Sequence, residues 1–262
     1  MRKQLLGSVA VLALVAGGSA NATEQWTWTG VYAGANLGYS WGRSATDTTF
    51  SNSTTGSVLS TSSSTLNLDG AIGGLQLGYN KQNGNWLWGF ETDFQLSGQN
   101  GNADGTYTCS IAICQNGNPT FATAPAAARP VAITTFNQKL DWFGTLRGRL
   151  GAAVTPAVVV YATGGLAYGH IKTDGTITGQ TGAGATTSST FGGSTTKAGW
   201  TVGAGVEWKV SGNWSAKVEY LYMDLGTVST NGSLATNFIP LNTAFSSKIT
   251  DNILRAGVNL KF

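Results

Sequence analysis

Along residues 136–151, FNQKLDWFGTLRGRLG, apolar bulk falls on Phe136, Leu140, Trp142, Leu146 and Leu150, all even positions. Lys139, Asp141, Arg147 and Arg149 all fall on odd ones. A repeat of two marks an extended strand with unlike faces. The same alternation recurs near 30–41, 66–79, 86–96, 157–171, 198–210, 214–225 and 248–262, so with 136–150 the pattern predicts eight strands. The connections alternate in length. Residues 80–85, 151–156 and 211–213 are short and rich in Gly, Asn and Pro, the residues of tight turns. Residues 42–65, 97–135, 172–197 and 226–247 are long, dominated by Ser, Thr, Gly, Ala and Asn, and read as loops.

Four loops beyond ~12–15 residues do not suit a compact soluble sandwich. Short turns at one end and long connections at the other are the plan of a transmembrane β-barrel, whose strands cross lipid with ~9–11 tilted residues. The fold class expected is therefore all-β, an eight-stranded antiparallel transmembrane barrel with short periplasmic turns and long extracellular loops.

Charge then decides which face is inside. Opposite the apolar residues of each strand lie the acids Glu91, Asp93, Asp141, Glu207, Glu219 and Asp251 and the bases Lys139, Arg147, Arg149, Lys209, Lys217, Arg255 and Lys261. A Lys or Arg facing lipid at mid-bilayer costs ~2–4 kcal/mol. The greasy face is therefore expected to look outward and the charged face to line the lumen. Asp69 and Asp224 stand apart, at loop ends. The faces of 157–171 remain unassigned. A lumen of eight strands is narrow enough for side chains to fill, and ions confined there should pair. Counting from the turn end suggests Glu91 with Arg147, Glu207 with Lys217 and Glu219 with Arg255. Tyr79, Trp86, Trp208, Trp214 and Phe262 are expected in one interfacial girdle, and Trp41, Trp200 and Tyr222 in the other.

Composition supports export. Residues 1–22 combine Arg2 and Lys3, a short apolar run and Ala20-Asn21-Ala22, the layout of a cleaved signal peptide, which leaves 23–262 as the barrel domain. Losing Arg2 and Lys3 lowers the net charge from +3 to +1, too little for an electrostatic hold on nucleic acid. Cys109 and Cys114, in CSIAIC, are expected to form one disulfide in an exported chain. His170 is the one histidine. It reads as an exposed strand-end residue, with no serine at strand spacing to make a hydrolytic pair, and no metal set forms around it. A haem ligand is the weaker alternative, with a loop tyrosine such as Tyr107. The glycine-rich 178–193 lacks the context of a phosphate-binding loop.

The stretches WTGVYAGANLGYSWG (28–42), VYATGGLAYG (160–169) and NILRAGVNLKF (252–262) resemble the small outer-membrane barrels of alphaproteobacteria, the porin-like outer-membrane immunogenic protein family, which includes haem-binding surface proteins. The resemblance spans the mature chain and implies an outer-membrane location. It implies no single activity. The terminal Phe262 looks like the signal read by the barrel-assembly machinery. Expected partners are outer-membrane lipid and lipopolysaccharide, that machinery, and a host or small-molecule ligand at the loops. The leading expectation is a non-enzymatic structural barrel and surface antigen with a charge-plugged lumen. The alternatives are a small porin for ions or small solutes, and a haem-binding or adhesion protein.

Overall fold

The computed structural model describes residues 27–53, 55–108, 131–180, 186–234 and 241–262. Residues 1–22, Cys109 and Cys114 lie outside the described residues. The strands are β1 (Gly30–Asn52), β2 (Val58–Asn83), β3 (Trp86–Thr108), β4 (Val131–Thr155), β5 (Val158–Gln180), β6 (Thr186–Ser211), β7 (Trp214–Leu234) and β8 (Leu241–Lys261). Each pairs antiparallel with its sequence neighbour, and β1 returns to β8 to close the ring. The turns at one end are tight. Gly84 (φ 58°) and Gly212 (φ 51°) supply the positive φ that a two-residue hairpin turn demands.

The strands are 21 to 26 residues long, roughly twice what a bilayer crossing needs. Most of 42–65, 172–197 and 226–247 and parts of 97–135 are therefore strand, not loop. Their ladders carry on past the last outward aromatic residues. The Ser- and Thr-rich composition that reads as loop is compatible with strand once both faces need not be apolar, and β-branched Thr favours it.

Outward-facing residues divide the barrel into two zones. Val31, Leu37, Leu75, Leu77, Trp88, Phe90, Phe94, Leu146, Leu150, Leu166, Val202, Val206, Val218, Leu254 and Val258 form an exposed apolar belt. Above it the outward positions become Arg43, Asp47, Asn67, Lys139, Lys172, Asp174 and Lys248. The interior inverts in step. Charged groups fill it at belt level, whereas Leu66, Leu68, Phe136, Leu140, Ile171, Ile177, Val228, Phe245 and Ile249 are buried above. The lower half is built for lipid outside. The upper half is built for water outside, with an apolar core of its own.

The change of zone is marked by bulges. Between β4 and β5, Leu140 and Trp142 oppose Ile171 and His170, which leaves Asp141 as an extra residue. One extra residue moves every later side chain to the other face. Hence Thr145, Arg147 and Arg149 point inward below it, while Gln138, Phe136 and Leu140 do so above. A second bulge lies at Asp224/Gly226 in β7. Gly226 takes φ 72°, and its N–H donates to Asp224 Oδ1 at 2.8 Å. A third irregularity spans Leu96/Gln99 in β3.

Two seams open at the same height. Pairing of β2 with β3 reaches only as far up as Asp69↔Asn100, and pairing of β6 with β7 only as far as Trp200↔Asp224. Above those points the ring becomes two four-stranded sheets, β7-β8-β1-β2 and β3-β4-β5-β6, packed face to face as in a sandwich. Phe245 of one sheet stacks on Phe136 and Phe191 of the other, with centroids at 5.0 and 4.8 Å.

Candidate functional site: the charged lumen

Four inward bases, Arg147, Arg149, Lys217 and Arg255, and four inward acids, Glu91, Asp93, Glu207 and Glu219, are all nearly inaccessible to solvent. Strand alternation places them. Glu91 and Asp93 sit two apart on β3, Arg147 and Arg149 on β4, Lys217 and Glu219 on β7, and register sets Glu91 beside Arg147 and Glu219 beside Arg255.

Arg147 is the hub. Its Nη2 donates to Glu91 and Asp93, its Nη1 to Glu219 at 3.0 Å, and its Nε to Thr145 Oγ1 at 2.8 Å. Arg255 completes the centre through Glu219 (2.6 Å) and Asp93 (2.9 Å). Lys217 Nζ donates to both oxygens of Glu91 at 2.8 Å. Lower down, Arg149 donates to Glu207 at 2.7 Å and to the Tyr32 hydroxyl at 2.8 Å, and its guanidinium lies 3.8 Å from the centre of the Tyr161 ring. Tyr32 donates in turn to Glu91 at 2.7 Å. Ser215 and Asn259 donate to Glu207, and Gln76 links Asn259 to Asn36. Four positive and four negative groups bring the cluster to formal neutrality. Each ion meets several opposite charges or strong dipoles, the condition under which buried ions are tolerated.

Buried apolar groups lie on both sides of the ions. Trp28 is tucked into the turn end with Leu87, Val159 and Tyr161, and its backbone N–H donates to Gln82 Oε1 at 3.0 Å. On the other side of the ions, Leu68, Ile72, Leu140, Phe143, Ala167, Ile171, Leu221, Met223, Leu225, Val228, Ile249 and Ile253 form one buried apolar layer.

Several sequence expectations require correction. Asp141 and Lys139 are not lumen residues. The β4 bulge turns Lys139 outward, and Asp141 lies at the outer wall, where it pairs with the half-exposed Lys172 at 2.7 Å. Glu207 and Lys217 are cross-strand neighbours, yet the lysine reaches across to Glu91 while Glu207 takes Arg149. Strand alternation gives the wall a residue lines. Only the narrow bore decides which walls meet. Lys209 and Lys261 lie toward the turn end of the lumen face, half-buried, and Lys261 Nζ donates to the Thr27 carbonyl. Asp251 is buried one step above the cluster and accepts from Gln99 at 2.9 Å. The faces of β5 are Tyr161, Thr163, Ala167 and Ile171 inward and Val160, Leu166 and Tyr168 outward. Tyr32, Tyr161, Thr145, Ser215, Asn259 and Gln76 were missed as network members, since neutral polar residues on the inward face carry no charge signal.

Trp41, Tyr79, Trp86, Trp200, Trp208, Trp214 and Phe262 are exposed, and Tyr222 is half-exposed on the same outer wall. Trp200 packs on Tyr222, with centroids at 5.4 Å. His170 faces outward near them, stacked 5.6 Å from Trp142, with Nδ1 3.3 Å from Thr196 Oγ1. Among the described residues no group of His, Cys, Asp and Glu is arranged to hold a metal ion.

Comparison with known proteins agrees with this architecture. A family model described as the outer membrane protein beta-barrel domain matches residues 10–262. The 31 kDa outer-membrane immunogenic protein of Brucella melitensis is 35% identical over 246 residues, covering 91% of this chain and 85% of that protein. The 22 kDa outer membrane protein of Rhizobium leguminosarum is 27% identical, over 71% of this chain and 63% of that one. Among solved structures, Neisserial surface protein A aligns at a TM-score of 0.34 and 15% identity, covering 86% of this chain and 97% of that one. This chain belongs to the outer membrane protein β-barrel family and resides in the outer membrane, with the immunogenic proteins of Brucella among its relatives.

Proposed function

We propose that the protein is a structural outer-membrane barrel whose sealed lumen supports a surface-displayed, antigenic extracellular half. The observation that carries this reading is the neutral eight-ion cluster closed by apolar layers on both sides. A pore needs a continuous watery path. Here guanidinium and carboxylate groups occupy the axis at contact distance, and above them apolar side chains surround a small polar group of Ser40, Gln99 and Asp251, poor in replacements for an ion's hydration shell. We read the protein as non-enzymatic, with His170 stacked on Trp142 and its Nδ1 3.3 Å from the Thr196 hydroxyl. The exposed Phe262 directly follows β8 at the turn end, where the assembly machinery would read it, and the outward belt would contact lipid and lipopolysaccharide.

Planar-bilayer recording of the refolded mature chain tests the reading. It expects a silent membrane. Discrete steps that scale with salt would establish the small-porin alternative in its place.

A further inference from the structure

The seam between β6 and β7 leaves a long strand edge without a partner among the described residues. From Thr186 to Gly199, TTSSTFGGSTTKAG, β6 is hydrogen-bonded to β5 alone, because its ladder with β7 stops at Trp200↔Asp224. The cause is local. At the Asp224/Gly226 bulge β7 turns inward and continues under β5, so that a Cβ on Gly232 would touch Ile177 at 3.0 Å and the Phe191 ring at 3.1 Å. β7 thus passes beneath a β6 side chain and not beside the β6 backbone. A Cβ on Gly193 would meet nothing within 4 Å. Of the residues 188–199, none is buried. The opposite seam differs, since a Cβ on Gly101 of β3 would run into the Asn67 carbonyl of β2.

An edge strand presents a row of unpaired N–H and C=O groups, and proteins usually blunt such edges with charges, proline or a covering segment. This one carries a single charge, Lys197, and no proline over 14 residues, about 46 Å of strand. We propose that the β6 edge, Thr186–Gly199, is a docking site for an extended polypeptide segment of an extracellular partner, added as a further strand to the β3-β4-β5-β6 sheet. Main-chain hydrogen bonds supply the affinity in this mode, and alternate side chains the selectivity. The neutral edge favours an uncharged segment. Residues of the added strand that point inward meet the Phe191 side and are apolar, while those that point outward lie beside Ser188, Thr190 and Ser194 and carry hydroxyls. A second copy of this chain is disfavoured. Two copies in one membrane share an axis along its normal, and strands tilted ~35–45° from it cross at about twice that angle, too steep for a ladder.

The inference rests on surface display by the extracellular half and is independent of whether the lumen conducts. The test is residue-resolved amide exchange on the full mature chain in lipid nanodiscs, with and without a synthetic dodecapeptide of alternating Thr and Val. In the free protein, alternate amides between 188 and 198 should exchange freely while their neighbours, bonded to β5, are protected. Saturating peptide should slow the free set at least tenfold and leave the lower barrel unchanged. Ser188→Lys with Thr190→Lys, both on the outer face of the edge, should weaken binding at least tenfold. Edge amides already protected without peptide, no slowing on its addition, or equal binding by the lysine variant would each overturn the proposal. The first two measurements need no variant to fold.

Discussion

Replacing Arg147 by Met removes the guanidinium around which Glu91, Asp93 and Glu219 are arranged, without changing strand register or side-chain length much. In the native lumen those three acids and Thr145 accept every hydrogen bond resolved from Arg147. Truncation takes the cluster from neutral to one net negative charge among side chains that are nearly inaccessible to solvent. Breaking a buried pair in this way costs about 3–5 kcal/mol. The lower end applies here, near 3 kcal/mol, because Glu91 keeps Lys217, and both Asp93 and Glu219 keep Arg255. A second change, Glu219→Gln, restores neutrality. The double variant should therefore be more stable than the sum of the two single changes predicts, with a coupling of at least about 1 kcal/mol. Urea unfolding from lipid vesicles, followed by tryptophan fluorescence, measures all four corners of the cycle. A single variant within about 0.5 kcal/mol of wild type, or additive effects in the double, would show that the ions do not act as one interlocked unit.

Other perturbations separate the two zones of the barrel. Asp141→Ala should change stability by less than about 1 kcal/mol, because its partner Lys172 is half in water and such pairs contribute little; the same unfolding assay decides. Leu146→Lys places a charge on the lipid belt and should cost ~2–4 kcal/mol, read as a lowered urea midpoint. Phe245→Ala empties the aromatic centre of the upper sandwich, a loss of about 3–5 kcal/mol. It should expose the upper strands to protease while the lower barrel keeps its folded electrophoretic mobility. His170→Ala should leave haem titration of the protein unchanged, since the ring is engaged with Trp142 on the outer wall; a lost Soret shift would restore the haem reading.

The alternation of 136–150 illustrates what can be read from sequence. Arg147 and Arg149 are assigned correctly because they lie on the membrane side of the bulge, where charge and lipid enforce opposite faces. Lys139 and Asp141 share their parity, yet lie beyond one extra residue that no periodicity reveals, and both end on the outer wall. The sandwich was hidden for a related reason. Segments such as TTSSTFGGSTTKAG have neither a greasy face nor a charged one, so their extended state is decided by the ladder with β5 and not by local preference.

Strand number, topology and the lipid-facing belt follow from sequence alone, because lipid imposes a large penalty on every wrongly turned charge and leaves one workable alternation. The choice of ion partners, the closing apolar layers, the bulges and the split into two sheets were decided only in three dimensions. They depend on which walls of a narrow cylinder face one another, and on where the solvent outside changes from oil to water.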